Sequence, residues 1–387
     1  MKGFATELIH AGESGIGTAV PLTTPIYETS TFVFDTAAEV LAYNEGRSSK
    51  YLYSRYANPT IVSVEQKLAA LEHAESALLF SSGQGATTTI LMAHAKAGDE
   101  VVCSAAIYGG TLHLLGDVLV NFGIKARFVS LEDLAQPERA IGERTRVVWF
   151  ETPINPTLRC VDITRIAAAC KARNVLSVID NTFASPINQQ PLSLGVDLAM
   201  QSATKYLNGH SDVTGGAVTG PQALIDPIAK ARRLIGTVMD PYPAYALGRG
   251  LKTLPLRMVR HNASAQAVAE FLAHDRRVSQ VYYPGLASHP DHEIAKRQMS
   301  GFGGMVCFDL GGSYERAAKT YDRLAVVKRA ASLGGVESLM SLPVLTSQWG
   351  HTDEQLREAG VTKGMLRLSV GLEDAADLIA DLDHALV

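Results

Sequence analysis

The stretch DLAMQSATKYLNGHSDVTGG, residues 197–216, poses the first structural question of this sequence. Its apolar run Leu198, Ala199 and Met200 is typical of a buried strand, and Lys205 follows at the mouth of that strand, before a polar loop with glycines. Burying a lysine costs free energy unless the amine is paired, deprotonated or used covalently. Lys205 is therefore either exposed to solvent or engaged in chemistry.

Short apolar segments alternate with helix-length segments through the middle of the chain. Strands that are apolar throughout, separated by helical patterns, predict a mostly parallel sheet covered on both faces. We therefore expect an α/β protein with an irregular arm over residues 1–60 and a large domain over 61–240. From residue 241 to 387, a long helical segment over 242–274 and shorter strand patterns predict a smaller α+β domain. The strands predicted for the large domain are SALLFSS (76–82), EVVCS (100–104), KARFVS (125–130), RVVWFE (146–151), LSVID (176–180), LAMQS (198–202) and GAVTG (216–220).

The composition argues against several classes of partner. The 387 residues are 47% hydrophobic, and 35 basic and 39 acidic residues mix along the chain for a net charge of −4, which argues against nucleic acid or a membrane surface. Four widely spaced cysteines without a C-x-x-C pair fit neither a disulfide framework nor a zinc site. HPDH at 289–292 has no acidic cluster beside it, so no metal is expected. With no apolar stretch of signal-peptide or membrane-spanning length, we expect a cytoplasmic protein.

A tight turn, Gly83-Gln84-Gly85, joins a predicted strand to a predicted helix. Free backbone N–H groups and the dipole at such a helix start attract an anion; an ordinary strand-to-helix turn is the alternative interpretation. The turn resembles half of a dinucleotide fingerprint, but Thr88 stands in place of the third glycine and no acidic residue follows where a ribose would need one. The pattern therefore favours a phosphate site over a dinucleotide site.

Three further side chains occupy positions in or after predicted strands. Asp180 ends a buried strand at the edge where α/β sheets bind ligands, with a helix cap as the alternative. Tyr108 follows another strand, where its ring either covers a flat ligand or joins the core. Arg367 is a charge inside the apolar segment MLRLSVG and needs an anionic partner, either a substrate carboxylate or a structural acid.

Lys205 allows two chemical hypotheses. Ser202 and Lys205 form the S-x-x-K pattern of serine acyl-enzymes, but the nearest matches to the companion elements are only SDV at 211–213 and KTL at 252–254. The second hypothesis is a lysine that forms an imine with a carbonyl cofactor whose phosphate neighbouring hydroxyls bind. The glycine turn, Asp180 and Lys205 follow successive strands in chain order, and together they supply what pyridoxal phosphate needs.

With these residues, the chain resembles the Cys/Met-metabolism family of fold-type-I pyridoxal-phosphate enzymes. That family includes cystathionine γ-synthase, cystathionine γ- and β-lyases, methionine γ-lyase and homoserine sulfhydrylases. The resemblance runs nearly end to end and implies a fold-type-I transferase fold with pyridoxal 5'-phosphate as cofactor. The motifs that carry it are YSRYANPT, SSGQGA, YGGT, ETPINPTLRCVDI, VIDNTFASP, QSATKYLNGHSDVTGG, GRGLKTLPLRM, YYPGLASHP, SLGGVESL and LRLSVGLED.

The resemblance implies roles around the cofactor. Lys205 would bind the cofactor's aldehyde and later carry the α-proton of the substrate. Asp180 would keep the pyridine nitrogen protonated, and Tyr108 would stack on the ring and assist departure of the γ-substituent. Backbone amides and hydroxyls would bind the phosphate, contributed by Gly83, Gln84, Ser202 and Thr204.

The resemblance also implies contacts to a second subunit and to an amino-acid substrate. Tyr53 and Arg55 would reach the phosphate of a neighbouring subunit, which makes a homodimer the minimal active unit and a tetramer the usual assembly. Asn155, Ser332 and Arg367 would hold the amino-acid end of the substrate.

Motifs of individual family members conflict in this chain. Methionine γ-lyases commonly carry a cysteine two positions after the stacking tyrosine, where this chain has Gly110, and the glutamate that cystathionine γ-lyases place before Ser332 is Ala331 here. VLTSQWG resembles plant-type cystathionine γ-synthases, whereas SSGQ and YGGT resemble O-acetylhomoserine sulfhydrylases. We expect γ-replacement on an O-acylated homoserine by a thiol, with γ-elimination from cystathionine or methionine as the alternative. An aminotransferase and a non-catalytic pyridoxal-phosphate module are further alternatives.

Overall fold

The computed structural model describes residues 3–12 and 20–387. The arm is mostly irregular, with two short helices and isolated contacts such as the bridge between Thr31 and Tyr53. The next helix begins at Pro59, because the Asn58 side chain accepts a hydrogen bond from the Thr60 amide (2.9 Å) and Pro59 takes the first helical position. The helices of this part are α1 (Phe4–His10), α2 (Ala37–Asn44) and α3 (Pro59–Leu71).

All seven strands predicted for the large domain are present, and they form one sheet. They are β1 (Ser76–Phe80), β2 (Glu100–Ser104), β3 (Lys125–Val129), β4 (Thr145–Glu151), β5 (Leu176–Asp180), β6 (Leu198–Gln201) and β7 (Gly216–Gly220). The order across the sheet is β1-β7-β6-β5-β4-β2-β3, and β7 runs antiparallel to both of its neighbours. The other four pairings are parallel, as the apolar strands predict.

Both faces of this sheet are buried. Consecutive residues of a strand point to opposite faces, so Val101 and Trp149 join the core on one side, while Val102 and Val148 join the core on the other. Helical segments pack on the two faces and explain why the strands are apolar throughout. These segments are α4 (Gly83–His94), α5 (Gly109–His113), a π-helical turn (Leu114–Val118), 3₁₀ turns (Leu119–Phe122 and Pro191–Leu194), α6 (Leu131–Leu134), α7 (Pro137–Ala140), α8 (Ile163–Ala172), α9 (Ser185–Asn188) and α10 (Gln222–Ile235).

The single long helical segment predicted over residues 242–274 is instead two helices. Helix α11 (Pro241–Leu251) ends, and α12 (Leu254–His274) begins after Lys252 and Thr253. Pro255 accounts for the break, because a proline within a continuous helix loses a hydrogen bond and clashes with the preceding turn, whereas the first turn of a new helix accepts it. No helix in the described ranges has both the length and the apolarity to cross a membrane.

The C-terminal domain contains a second sheet in the order β10-β11-β12-β9-β8. Its pairings are antiparallel except that between β10 and β11. The apolar segments VYYPG (281–285), GGMVCFDL (303–310) and MLRLSVG (365–371) predict three of these strands, whereas β10 and β11 are too short to show a periodicity. The elements are β8 (Gln280–Tyr282), α13 (His292–Gln298), β9 (Met305–Asp309), α14 (Tyr314–Arg323), β10 (Lys328–Arg329), β11 (Leu339–Ser341), a 3₁₀ turn (Pro343–Leu345), α15 (Asp353–Glu358), β12 (Met365–Ser369) and α16 (Ala375–Ala385).

The loop after β6 is attached to α12 by the buried side chain of Arg257. Its guanidinium donates to the backbone carbonyl oxygens of Tyr206 (2.7 Å), Leu207 (3.3 Å) and Gly250 (2.8 Å). No described carboxylate pairs with this group, and burial lowers its pKa to about 10. The attachment fixes the turn that carries Lys205 against the start of α12.

Candidate active site

A cavity of about 620 Å³ opens at the edge of the large sheet where β4, β5 and β6 end. Residues of β12 and of the loops around it complete the lining, so both domains contribute. Ten of the twelve residues that the sequence analysis singled out line this cavity: Gly83, Gln84, Tyr108, Asn155, Asp180, Ser202, Thr204, Lys205, Ser332 and Arg367.

Lys205 points its amine into this cavity. The Nζ atom donates a hydrogen bond to the Ser332 hydroxyl (3.0 Å), and no described carboxylate pairs with it. Burial, and secondarily the charge of Arg367, lower the pKa of the Lys205 amine. A lysine with a lowered pKa is a nucleophile for a carbonyl group. The amine is not hydrogen-bonded to Ser202, so the serine acyl-enzyme hypothesis has no geometric support.

The start of α4 forms a cradle for an anion. Ser82 caps the helix by accepting a hydrogen bond from the Gly85 amide (2.9 Å), while the amides of Gly83 and Gln84 have no acceptor among the described residues. A side chain at position 83 would crowd Ser202, since a Cβ there would lie 3.1 Å from the Ser202 Cβ. Free amides at a helix start beside a serine hydroxyl are suited to a phosphate group.

Thr204 lies in the same wall, but its hydroxyl is already engaged. It donates to the Gly215 carbonyl oxygen (3.2 Å) and accepts from the Gly215 amide (2.9 Å). A phosphate contact at Thr204 therefore requires the hydroxyl to give up its bond to that carbonyl.

Two carboxyl groups lie side by side at the ends of β4 and β5, Glu151 buried and Asp180 partly buried. Glu151 and Asp180 are paired in the strand register, and Asp180 Oδ1 accepts a hydrogen bond from the Thr182 amide (3.0 Å). Burial raises the pKa of both groups; for Glu151 burial and then the charge of Asp180 raise it to about 8. A protonated ring nitrogen beside Asp180 would neutralise a buried negative charge that the site otherwise disfavours.

Arg367 is a buried guanidinium, 7% exposed, without an acidic partner among the described residues. Its Nη1 donates to the Asn155 side-chain oxygen (2.9 Å), its Nη2 donates weakly to the Ser332 carbonyl (3.4 Å), and its Nε has no partner. Of the two anionic partners considered from sequence, the structural acid is therefore not among the described residues. The group is free to bind an incoming carboxylate in bidentate fashion.

The chain matches the family model described as Cys/Met metabolism PLP-dependent enzyme over residues 5–387. It belongs to this family. A protein named L-methionine gamma-lyase from Fusobacterium nucleatum subsp. nucleatum is 42% identical over 390 residues, which cover 100% of this chain and 98% of the relative. Cystathionine gamma-synthase 1, chloroplastic, from Arabidopsis thaliana is 41% identical over 382 residues, 98% of this chain and 68% of the relative. A crystal structure of cystathionine gamma-lyase from Lactobacillus plantarum complexed with L-serine matches with a TM-score of 0.93 and 40% identity, over 99% of this chain and 98% of that chain.

Family membership confirms the predicted fold class and cofactor: the chain is a PLP-dependent enzyme of the transsulfuration family. The residues of the cavity fit pyridoxal 5'-phosphate. The unpartnered amides at the start of α4 suit its phosphate, Asp180 suits its ring nitrogen, and the amine of Lys205 suits its aldehyde.

Tyr53 and Arg55 do not line the cavity of their own chain. The guanidinium of Arg55 lies over the rings of Tyr53 (5.4 Å) and Tyr56 (5.1 Å) and donates a hydrogen bond to the Arg233 carbonyl. Both residues are exposed. Their contact with the phosphate of a neighbouring subunit stays a prediction.

Several lining residues escaped the sequence analysis. Glu151 ends β4 as Asp180 ends β5, so the rule that pointed to Asp180 applies equally to Glu151. Leu345, Thr346 and Ser347 also line the cavity; they lie in the segment VLTSQWG, whose resemblance to plant-type cystathionine γ-synthases assigns none of them to the site. This segment acquires its position only through tertiary packing.

Proposed function

We propose that this enzyme catalyses γ-replacement, the exchange of the acyl ester of an O-acylated homoserine for a thiol. The observation that carries the proposal is the loop wall of the cavity, residues 331–333 and 345–347, which has no charged side chain. A neutral acyl group fits such a wall, and a small thiol such as sulfide fits it as acceptor, whereas the second ammonium and carboxylate of cystathionine, as a lyase substrate or as the product of replacement by cysteine, would find no counter-charge there. The four charged lining residues stand outside the loop wall: Glu151, Asp180, Lys205 and Arg367.

The surroundings of Tyr108 support the same conclusion. A Cβ at Gly110 would lie 2.6 Å from Cε1 of Tyr108 and 3.0 Å from the side-chain nitrogen of Gln84. The cysteine that the resemblance associates with methionine γ-lyases at this position would therefore displace the tyrosine ring or Gln84.

The roles of the chain's own residues follow from their chemistry. When bound, pyridoxal phosphate withdraws electrons from the α-carbon of the amino-acid substrate. Arg367 and Asn155 hold the α-carboxylate, and the Lys205 amine, with its lowered pKa, takes up the α-proton. Tyr108 assists departure of the acyl group. In the net reaction the Cγ–O bond breaks, a Cγ–S bond forms, and the thiol's proton leaves with the carboxylic acid.

A γ-elimination lyase is the second candidate, and one finding favours it: the 42% identical relative from Fusobacterium nucleatum is named L-methionine gamma-lyase. Such a reaction would use the same residues for the α-carboxylate and the α-proton. It differs in its products, which are 2-oxobutanoate, ammonia and a thiol.

We also expect a homodimer in which the arm completes the neighbouring site. The arm exposes apolar side chains that include Val20, Leu22 and Val33, and it carries Tyr53 and Arg55. Mixing two inactive variants, Lys205→Ala and Arg55→Ala, tests this arrangement. If the subunits exchange and share sites, the mixture regains activity, because one of the two sites in a hybrid dimer then holds both native residues.

The decisive experiment gives the purified, cofactor-loaded protein O-acetyl- or O-succinyl-homoserine, with and without cysteine or sulfide. Cystathionine or homocysteine forming faster than 2-oxobutanoate supports γ-replacement. Rapid release of 2-oxobutanoate from methionine or cystathionine, with no capture of the thiol, would contradict the proposal and establish the lyase. Lys205→Ala, measured in parallel, shows which products depend on the site.

A further inference from the structure

Glu151 lines the cavity, yet the proposed reaction gives it no role. Its carboxyl group is buried, and each oxygen accepts one hydrogen bond from a backbone amide. Oε2 accepts from the amide of Tyr108 (3.0 Å), and Oε1 accepts from the amide of Asn155 (3.1 Å). Tyr108 follows β2 and Asn155 follows β4, two adjacent strands of the large sheet, so one side chain joins the segments that leave these strands at the cavity.

We propose that Glu151 is a positioning residue that holds the Tyr108 ring and the Asn155 side chain in register with each other across the cavity. The inference rests on the proposed function, in which Tyr108 meets the cofactor and Asn155 meets the substrate. Asn155 also accepts a hydrogen bond from Arg367 Nη1 (2.9 Å). Glu151 is thereby linked through Asn155 to the group that binds the substrate carboxylate.

Only a carboxyl side chain of this length can accept a hydrogen bond from both backbone amides, that of Tyr108 and that of Asn155. A carboxyl group can accept at both oxygens, fully when ionised and through its remaining lone pairs when protonated, whereas glutamine offers one acceptor and one donor. With glutamine at position 151, one of the two backbone N–H groups would face another N–H group in a buried site, which is costly. Either the Tyr108 segment or the Asn155 segment would then shift.

Glu72 provides a matched control in the same chain. It is also buried, and burial raises its pKa to about 8 as well. Its Oε1 accepts one hydrogen bond from Gln201 (2.6 Å), but its Oε2 has no partner among the described residues. Glu72 does not line the cavity. Glu72→Gln therefore keeps the one acceptor that is used, while Glu151→Gln removes one of the two that are used.

The experiment compares wild type, Glu151→Gln and Glu72→Gln, all loaded with pyridoxal phosphate. We measure kcat and KM for O-acetylhomoserine with cysteine, the visible circular dichroism of the bound cofactor, and the affinity of the apoprotein for pyridoxal phosphate. Glu151→Gln should lower kcat by about 10- to 100-fold and raise KM several-fold, because Tyr108, Asn155 or both are displaced. It should also weaken the cofactor's dichroism band, which reports the position of the stacked ring. The affinity for pyridoxal phosphate should change less than about 3-fold, since no phosphate contact is altered.

Glu72→Gln should match wild type in all of these measurements. Equal kcat, KM and dichroism for Glu151→Gln and Glu72→Gln would overturn the proposal. A loss of kcat that only follows the fraction of folded protein, with KM and dichroism unchanged, would also overturn it, because it would mean a purely structural role.

The experiment also distinguishes a variant that fails to fold from a failure of the proposed function. If Glu151→Gln does not fold, Glu151→Asp replaces it: this variant keeps two acceptors on a shorter side chain and should show intermediate kcat, while wild-type kcat would overturn the proposal. If the wild type turns over no O-acylhomoserine, the proposed function fails. The dichroism comparison then still tests Glu151, because it does not depend on turnover.

Discussion

The cavity joins two regions that are built in different ways. The cofactor end, which comprises the start of α4, Asp180 and Lys205, stands on strand ends and a capped helix whose backbone is fixed by the large sheet. The loop wall, residues 331–333 and 345–347, stands on segments between short strands. Buried polar atoms in and next to it, such as Ser347 Oγ and Gln348 Oε1, have no hydrogen-bond partner among the described residues.

This difference suggests that the cofactor end carries out the shared reaction, while the loop wall selects the substrate. A sheet edge holds a few groups in fixed geometry, which is what activation of the α-carbon requires for any amino-acid substrate. A loop with unused hydrogen-bonding atoms can adapt to different γ-substituents. Substitutions at the cofactor end should therefore affect all substrates alike, and those in the loop wall should change the ranking of substrates.

The largest effect is expected for Lys205→Ala. In the proposed roles, loss of the amine would remove both the attachment of the cofactor and the acceptor of the α-proton, so kcat should fall by about 10²- to 10⁴-fold for every substrate. Absorbance spectra of the purified protein should lose the yellow band of the lysine-bound cofactor. Thr346→Ala, in the loop wall, is the control and should keep the band. A yellow and active Lys205→Ala protein would contradict the assignment of the cofactor end.

Arg367→Lys should have the next largest effect. Lysine cannot bind a carboxylate in bidentate fashion, and a buried ammonium would replace a planar guanidinium, so KM should rise by about 30- to 100-fold with a smaller change in kcat. Steady-state kinetics with two substrates of different γ-substituent measure this effect, which should be equal for both. Arg260→Lys, in an exposed pair with Asp374, is the matched control. A normal KM for Arg367→Lys would mean that the α-carboxylate binds elsewhere.

Gly110→Ala tests the boundary between the two regions. The new Cβ would lie 2.6 Å from the Tyr108 ring, which must move, so kcat should fall by about 10-fold. At Gly109, the residue before Gly110, a Cβ would contact only the Ser347 carbonyl oxygen, at an ordinary distance of 3.4 Å. Gly109→Ala should therefore keep a larger fraction of kcat. Equal kcat for the two variants would show that the Tyr108 ring is not confined by Gly110.

The smallest effect is expected for Glu72→Gln and concerns stability. Glu72 has its pKa raised by burial from 4.5 to about 8. Above pH 4.5 the unfolded chain releases this proton while the folded chain retains it, so the group's favourable contribution is complete below pH 4.5 and is lost as pH rises to about 8. Thermal unfolding should show Glu72→Gln equal to wild type at pH 4.5 and a few degrees more stable at pH 8.5. The same difference at both pH values would argue against a protonated Glu72.

Local sequence pattern predicts the strands of the large sheet, and it predicts that the start of α4, Asp180 and Lys205 lie close together, as the cavity shows. Strands such as LSVID and LAMQS are apolar throughout, and parallel strands bring their ends to one edge, which places Asp180 near Lys205 without further information. The break between α11 and α12 follows from Pro255, but the apolar periodicity continues across it and therefore predicts a single helix. The two-residue strand β10 is too short to show a periodicity, and in the loop wall the resemblance points to Ser332 but not to the positions of residues 345–347, which depend on tertiary packing.

The hydrogen bonds of Arg257 determine which substitutions the turn that carries Lys205 can accept. Its guanidinium grips the backbone oxygens of Tyr206 and Leu207 rather than their side chains, so the anchor of the Lys205 turn does not depend on which residues occupy those two positions. The freedom ends at Gly209, where any Cβ would collide with the guanidinium. Because the Tyr206 and Leu207 side chains are themselves buried in the core, this attachment tolerates only substitutions that the core can accommodate, provided that position 209 stays glycine.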